Sequence, residues 1–169
     1  QDQKNQKNVN LSELLENIID ILRVTTPNEI KITRDIPKDD ILHPINPTRF
    51  RQLVLNLCIN AVHAMPEGGT LSVKLSAPDP GSIALEIADT GTGIPPELVE
   101  RIFDPMFTTK DQNKGTGLGL FAVKQITEDQ NGKIAVQSEP GKGTIIKICL
   151  RRPGGSFEKP PPGPPQNFS

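Results

Sequence analysis

The chain has 169 residues and a formal net charge of −1, a length that allows one domain with a hydrophobic core. The near-neutral charge does not indicate a nucleic-acid surface, and no apolar run approaches the roughly 18 residues of a membrane span. Two cysteines, Cys58 and Cys149, lie in apolar segments. We therefore expect buried, reduced thiols and neither a disulfide framework nor a cysteine metal site.

The first part of the chain predicts a helix followed by a short strand. Residues 1–8 are rich in Gln, Asn and Lys, which predicts a frayed start or a linker. Asn10 is suited to cap a helix, with Glu13 three residues later in the capping-box position. Ile30 and Ile32 then alternate with polar residues, which is typical of a strand.

The rest of the chain reads as a second helix, a hairpin, a glycine-rich segment, a third helix and a second hairpin. Pro47 suits a first helical position, and Pro66 ends that helix. Strands with one apolar face predict an α/β (α+β) two-layer sandwich with a mixed, mostly antiparallel sheet and helices on one face. The predicted elements are helices over 47–65 and 117–128 and strands over 70–76, 82–88, 133–138 and 144–150, before a Pro/Gly-rich disordered tail over 153–169.

The second predicted helix carries a stripe of polar residues. Arg49, Gln52, Asn56, Asn60 and His63 follow one another at intervals of three or four residues, so they share one helix face. Most other positions are apolar, which predicts a buried helix whose amides need partners. The alternative is an ordinary solvent-facing stripe. Amides favour a ligand, because their oxygens bind hard cations and their two edges bind polar groups.

Two glycine-rich segments flank a polar stretch between the predicted hairpins. Asp89 follows a strand and precedes Gly91 and Gly93. A carboxylate only accepts hydrogen bonds, so at this place it would select an exocyclic amine such as adenine N6; an ordinary Asx turn is the alternative. The glycines from Gly115 to Gly119 precede a helix, whose N-terminus favours an anion. Neither the P-loop nor the dinucleotide fingerprint is present.

Together these segments resemble the ATP-binding catalytic domain of bacterial sensor histidine kinases, in the GHKL superfamily with its Bergerat fold. The resemblance covers roughly residues 10–150, and four motifs in the right order are more specific than any one alone. The motifs are similar to the N box at 52–61 (QLVLNLCINA), the G1 box at 89–95 (DTGTGIP), the F box at 102–110 (IFDPMFTTK) and the G2 box at 115–120 (GTGLGL). Gly143 and Thr144 resemble the final nucleotide-contacting motif.

The resemblance implies a site for ATP and Mg²⁺. It implies that Asn60 ligates the metal ion, that Asp89 binds the adenine amine, and that Asn56, His63 and Lys110 act as catalytic residues beside the phosphates. The implied nucleotide-binding residues are Asn60, Asp89, Gly91, Gly93, Ile94, Phe103, Phe107, Lys110, Gly115, Thr116, Gly117, Leu118, Gly119, Leu120 and Thr144.

One position bears on the reaction. Superfamily members that hydrolyse ATP carry a glutamate four residues before the metal-binding asparagine, and this chain has Asn56 there. An amide cannot act as a base, so the resemblance implies transfer of the γ-phosphate to a histidine of a two-component sensor kinase, a reaction that depends mostly on positioning and charge neutralisation. Two alternatives stay open: a degenerate ATP-binding interaction module and an ATP-hydrolysing member of the superfamily.

The phosphoacceptor of the family is not found in this chain. His43 precedes Pro44, and His63 belongs to the N box. With neither initiator Met nor signal peptide, we expect a fragment that is cytoplasmic, or the cytoplasmic part of a membrane-bound sensor, without nucleic-acid or direct membrane contact. We expect it to be monomeric, because the dimerising helices of the family are not recognised in it. We expect a linker over 1–9, a catalytic domain over 10–152 and a tail over 153–169. The implied partners are separate histidine-containing dimerisation helices and a downstream response regulator.

Overall fold

The computed structural model describes residues 7–108 and 117–154. One layer is a five-stranded sheet, and helices cover one of its faces. In chain order the elements are β1 (Lys7–Asn10), α1 (Leu11–Thr25), β2 (Ile30–Asp35), β3 (Leu42–Ile45), α2 (Pro47–His63), β4 (Gly69–Asp79), β5 (Ser82–Asp89), α3 (Gly119–Asp129), β6 (Lys133–Glu139) and β7 (Gly143–Arg151). The predicted two-layer fold class is confirmed.

The large sheet has the strand order β2-β4-β5-β7-β6. Strand β2 pairs in parallel with β4, and the β4–β5, β5–β7 and β6–β7 pairs are antiparallel. Both predicted hairpins are therefore present, and the mixed, mostly antiparallel sheet is confirmed. The β4 strand runs beyond its predicted end to Asp79, with an irregularity in pairing after Ser76.

The hydrophobic core lies between the helices and the inner face of the sheet. Alternate residues of each central strand point inward, as their apolar periodicity predicts. Phe50 of α2 is fully buried in this core, and burial of a side chain of that size contributes about 1.5–3 kcal/mol. The buried strand residues include Leu71, Val73, Leu75, Ile83, Leu85, Ile87, Ile146, Ile148 and Leu150, and the buried helix residues include Leu15, Ile18, Leu53, Leu57 and Ile126.

The outer face of the sheet carries a row of alternating charges. Asp35, Lys74, Glu86 and Lys147 are consecutive register partners across β2, β4, β5 and β7. Opposite charges on neighbouring strands contribute about 0.2–1 kcal/mol per pair. The Nζ of Lys74 lies 3.8 Å from the carboxylate of Asp35. Charged side chains in such a row are typical of a face exposed to solvent. The opposite, apolar face packs against the helices and is the one that positions the site.

A small two-stranded ribbon was not predicted from the sequence. Strands β1 and β3 pair antiparallel, with Lys7 opposite Ile45. Lys7 and Asn8, for which the sequence predicted a frayed start or a linker, are paired in a strand and are therefore not frayed. Pro44 has no backbone N–H to donate in β3. Because proline is uncommon within strands, the sequence does not indicate a strand there. The ribbon leads into α1, where Asn10 caps the helix as predicted and accepts from the backbone N–H of Ser12 at 3.2 Å.

Helix α2 begins as predicted but is less buried than predicted. Asn46 caps it by accepting from the N–H groups of Thr48 at 2.9 Å and Arg49 at 3.3 Å, and Pro47 occupies the first turn. The side chain of Ile59, however, is 47 % exposed. The prediction of burial around most of the helix is wrong on that side, because the helix has the sheet on only one flank.

Both cysteines are free and buried, as predicted. Burial raises the pKa of the Cys58 thiol to about 12, so this thiol is protonated at neutral pH. In the part of the chain that the structure describes, no helix has the length and apolar character needed to cross a bilayer. Residues 155–169, which make up most of the predicted tail, lie outside the described ranges.

The glycines of the β6–β7 turn provide a matched stability test. Gly141 and Gly143 both have positive φ, at 79° and 111°. A Cβ on Gly141 meets nothing within 4 Å, whereas one on Gly143 overlaps the carbonyl of Asp89. We expect Gly141→Ala to lower the free energy of unfolding by about 1 kcal/mol through backbone strain, and Gly143→Ala by more than about 3 kcal/mol. Equal losses in urea denaturation would contradict this account.

His43 is a buried titratable group in β3. It is 1 % exposed, its Nε2 lies 3.3 Å from Oε1 of Gln130 after α3, and its Nδ1 has no hydrogen-bond partner in the described structure. Burial lowers the pKa of His43 from 6.5; the Gln130 contact opposes this, and the positive charge of Arg152 adds to it. The ring is therefore held in its neutral form.

This arrangement predicts a loss of stability in mild acid. Below pH 6.5 the unfolded chain binds a proton at His43 that the folded chain binds only at lower pH, so the free energy of unfolding falls as the pH drops. We expect a lower urea midpoint at pH 5.5 than at pH 7.5, and a smaller difference in His43→Gln. A variant that keeps the full difference would show that other groups cause it.

Candidate functional site

The candidate site lies where β5 ends beside the start of β7. Asp89 is the last residue of β5 and is the register partner of Thr144. Its half-buried carboxylate accepts from the backbone N–H of Gly91, at 2.9 Å, and of Thr144. Burial raises the pKa of Asp89, and the two backbone donors oppose that shift. The carboxylate is thus held by backbone groups and keeps lone pairs for a ligand.

Asp79, at the end of β4, differs from Asp89 in the hydrogen-bond partners of its carboxylate. Both residues form the same local turn, in which a carboxylate oxygen accepts from the N–H of a glycine two residues later; for Asp79 this bond to Gly81 measures 2.7 Å. The second oxygen of Asp79 accepts from the hydroxyl of Ser82 at 2.6 Å, which lowers the pKa of Asp79. The Asx turn given as the alternative for Asp89 is therefore present, and Asp79 forms the same turn, but in the described structure only Asp79 also accepts from a neighbouring side chain.

The loop after Asp89 is clamped between the end of α2 and the β6–β7 turn. The N–H of Thr92 donates to the carbonyl of Ala64 at 2.9 Å. A Cβ on Gly91 would overlap that same carbonyl, and a Cβ on Gly93, where φ is 71°, would overlap the carbonyl of Glu139. Both glycines are needed because two backbones pass close to the loop. The wall of the site is therefore formed by closely packed backbone.

A serine that is not among the predicted site residues joins this loop to β7. The hydroxyl of Ser138 accepts from the N–H of Ile94 at 2.7 Å, donates to the carbonyl of Gly143 at 3.1 Å and lies 2.8 Å from Oγ1 of Thr144. Thr144 is 5 % exposed. Ser138 belongs to none of the four motifs, and it lies opposite Thr144 only through the β6–β7 register. Nothing in the sequence pattern identifies it.

The polar stripe of α2 is partly covered by α3. The Nδ2 of Asn56 donates to the carbonyl of Gly119 at 3.2 Å, and Arg49 forms an ion pair with Asp129 at 2.8 Å. Asn56 and Asn60 are half-buried, whereas the last stripe residue, His63, is exposed. The purely solvent-facing alternative is therefore wrong for Asn56, which links the stripe to the start of α3.

The segment resembling the F box meets the glycine segment before α3. The N–H of Met106 donates to the carbonyl of Gly117 at 3.0 Å, and a Cβ on Gly117 would overlap the Met106 backbone. Met106 has a φ of 63°, which is uncommon for a residue other than glycine. The guanidinium of Arg101 lies 4.8 Å from the ring centre of Phe107, in a cation–π contact. Neither Met106 nor Arg101 is among the site residues predicted from the sequence.

The structure thus brings the predicted residues together in two groups. Asp89, Gly91, Gly93, Ile94 and Thr144 form the group at the end of the sheet. A second group joins α2 to α3 through Asn56 and the residues from Gly117 to Leu120, of which Leu118 is 47 % exposed and Leu120 packs against the core. Phe103 is half-buried. Lys110, Gly115 and Thr116 lie outside the described residues and stay predictions.

Comparisons with known protein sequences agree with this architecture. Residues 45–154 match the family described as histidine kinase-, DNA gyrase B-, and HSP90-like ATPase. Sensor kinase CckA of Brucella abortus is 36 % identical over 160 residues, covering 85 % of this chain and 17 % of that protein. Sporulation kinase A of Bacillus subtilis is 37 % identical over 143 residues, covering 84 % and 23 %. The chain therefore spans about a fifth of the length of these relatives.

Solved structures resemble the chain over most of its length. The mycobacterial sensor histidine kinase MprB matches with a TM-score of 0.76 at 28 % identity, covering 87 % of this chain and 97 % of that one. The catalytic domain of histidine kinase ThkA gives 0.77 at 29 %, covering 87 % and 95 %. Full-length ShkA in complex with AMPPNP gives 0.74 at 28 %, covering 89 % and 32 %. The chain therefore belongs to the histidine kinase-, DNA gyrase B- and HSP90-like ATPase family, and its fold matches the catalytic domains of sensor histidine kinases.

Proposed function

We propose that this chain binds Mg-ATP and transfers the γ-phosphoryl group to a histidine on a separate dimerisation domain of a two-component sensor kinase. The observation that carries the proposal is the Asp89 carboxylate, half-buried at the end of β5 and held by backbone N–H groups beside the Thr144 side chain. Homology to sensor kinases and the AMPPNP complex of the neighbour ShkA support a nucleotide as the ligand.

The base is recognised at the sheet end. Asp89 accepts from the exocyclic amine of adenine, because an ionised carboxylate offers lone pairs only. A purine with an oxygen at that position would place lone pairs against lone pairs. Gly91 and Gly93 keep the loop close to the end of α2 and to the β6–β7 turn, so the base lies against ordered backbone. Ile94, Phe103 and Phe107 supply apolar contacts on this side of the nucleotide.

The metal ion and phosphates are held beside α2. Within residues 7–108 and 117–154, no group of three or more His, Cys, Asp or Glu residues is arranged to hold a metal ion. Mg²⁺ commonly takes one or two protein ligands together with substrate phosphates and water. Asn60 is half-buried, and its amide oxygen is of the hard type that Mg²⁺ prefers. Bound Mg²⁺ would neutralise charge on the phosphates during transfer.

The start of α3 favours the phosphates. No side chain in the described structure caps this helix at Leu118, so its first N–H groups and positive dipole end are suited to an anion. The bond from Asn56 to the carbonyl of Gly119 holds this end close to the stripe of α2, and Gly117 and Leu120 lie on either side of Gly119 in the chain. Gly115, Thr116 and Lys110 complete the phosphate side in the proposal, and His63 adds a polar group at the end of α2.

Transfer is favoured over hydrolysis by the side chain of Asn56. Its amide cannot remove a proton from water, and its Nδ2 already donates to the carbonyl of Gly119. An imidazole nitrogen of the acceptor histidine is itself a nucleophile, so attack on the γ-phosphorus displaces ADP without a base in this chain. The exposed side chains of Met106 and Leu118 flank the phosphate side, and we propose this edge as the docking place of the acceptor helices. A downstream response regulator and a cytoplasmic location follow from the same proposal.

Asp89→Asn provides the first test, with Asp79→Asn as its matched control. Replacing Asp89 removes a charge-assisted hydrogen bond to the base, so calorimetry should show affinity for ATP with Mg²⁺ weakened about 10- to 100-fold. Asp79→Asn changes the same kind of turn at another strand end and should leave the affinity for ATP unchanged. An unchanged affinity in Asp89→Asn, with circular dichroism showing a folded protein, would remove Asp89 from the base pocket.

Phosphoryl transfer is tested by supplying the acceptor separately. With labelled ATP and Mg²⁺, the chain should phosphorylate its cognate dimerisation helices on histidine and should not label itself. Asn60→Ala should slow transfer at least about 100-fold through loss of metal positioning, whereas the exposed Asn17→Ala on α1 should have no effect. Nucleotide binding without labelling of the helices would favour the interaction module, and repeated phosphate release without acceptor would favour an ATPase.

A further inference from the structure

The hydroxyl of Ser138 has three polar neighbours and one proton. Its Oγ lies 2.7 Å from the N of Ile94, 3.1 Å from the carbonyl oxygen of Gly143 and 2.8 Å from Oγ1 of Thr144. The three neighbours come from the loop after β5, from the first residue of β7 and from the residue that pairs with both Ser138 and Asp89. Ser138 is therefore the polar junction of the sheet end.

The chemistry of these neighbours fixes the direction of each hydrogen bond. The N–H of Ile94 only donates, so it uses one lone pair of Ser138. The carbonyl of Gly143 only accepts, so it takes the single proton of Ser138. Thr144 must then donate its own hydroxyl proton to the remaining lone pair of Ser138 if all three contacts are hydrogen bonds. In that arrangement every hydrogen-bond donor and acceptor around the Ser138 hydroxyl has a partner. The hydroxyl of Thr144 can then only accept a hydrogen bond from a ligand.

We propose that Ser138 determines base specificity by positioning the hydroxyl proton of Thr144, so that the site accepts 6-amino purines and rejects 6-oxo purines. This inference rests on the proposed nucleotide-binding function and adds a residue to it. Asp89 and Thr144 are paired neighbours on β5 and β7, and each then offers lone pairs only. A 6-amino group can donate two protons, whereas a 6-oxo group presents lone pairs that both residues repel.

Loss of the Ser138 hydroxyl would change this pattern without touching the ligand directly. In Ser138→Ala the proton of Thr144 is released, and the threonine hydroxyl can rotate to donate to a 6-oxo group. The loop also loses the bond from Ile94, which weakens the binding of every nucleotide to a similar degree. The two consequences can be measured separately. A looser loop lowers the affinities for 6-amino and 6-oxo purine nucleotides alike, whereas a released Thr144 proton changes the ratio of these two affinities.

The experiment compares ATP with inosine triphosphate in calorimetric titrations with Mg²⁺. Inosine triphosphate differs from ATP only in carrying a 6-oxo group and N1–H in place of the 6-amino group and N1. We expect the wild-type chain to bind ATP more tightly than inosine triphosphate. In Ser138→Ala the dissociation constant for inosine triphosphate divided by that for ATP should fall about three- to tenfold, the size expected for one hydrogen bond. Ser138→Thr keeps a hydroxyl and should retain the wild-type ratio.

Thr144→Val completes the test and serves where Ser138→Ala does not fold. Thr144→Val removes the hydroxyl oxygen that accepts from the 6-amino group, so by itself it should lower the ratio of the dissociation constant for inosine triphosphate to that for ATP. Adding Ser138→Ala to Thr144→Val should lower this ratio no further. An unchanged ratio in Ser138→Ala or in Thr144→Val would overturn the role of Ser138, as would a wild-type chain that binds both nucleotides equally. A wild-type chain that binds neither nucleotide would instead overturn the proposed function.

Discussion

The pairing of Asp89 in β5 with Thr144 in β7 is the constraint on which the site depends. The backbone N–H of Thr144 orders the carboxylate, and Gly143 lacks a side chain because the carbonyl of Asp89 occupies the space where a Cβ would lie. The strand pairing therefore places a half-buried acceptor at the sheet end and keeps it there before any ligand binds. Binding to such preformed groups costs less entropy, because the side chains and loops of the site are already ordered.

Helix α2 connects this sheet end to the other half of the site. Its last turn holds the loop after β5 through the bond from Thr92 to the carbonyl of Ala64. Its middle holds the start of α3 through the bond from Asn56 to Gly119. The two groups of the candidate site thus share one helix, although their residues are far apart in the chain.

Much of the fold could be predicted because the local signals agree with one another. Alternating apolar residues predicted the two hairpins, and Asn10, Pro47 and Pro66 marked helix ends by their backbone preferences. The glycine segments stood out because so many glycines in so few residues indicate close backbone approach. The β1–β3 ribbon was missed because it is short, lacks alternation and contains Pro44. The exposure of Ile59 was missed because periodicity does not show whether a second layer exists.

The sequence by itself determined the fold class, the order of the elements and the residue types available to the candidate site, because periodicity, caps and glycines act on the nearby backbone. The tertiary structure decided which of these residues meet. Register across β6 and β7 placed Ser138 against Thr144, and packing of the β5 loop on α2 gave Gly91 its neighbour. Burial of His43 beside Gln130 likewise depends on strands and helices distant in the chain. Such contacts arise from the packing of whole elements, so no local pattern records them.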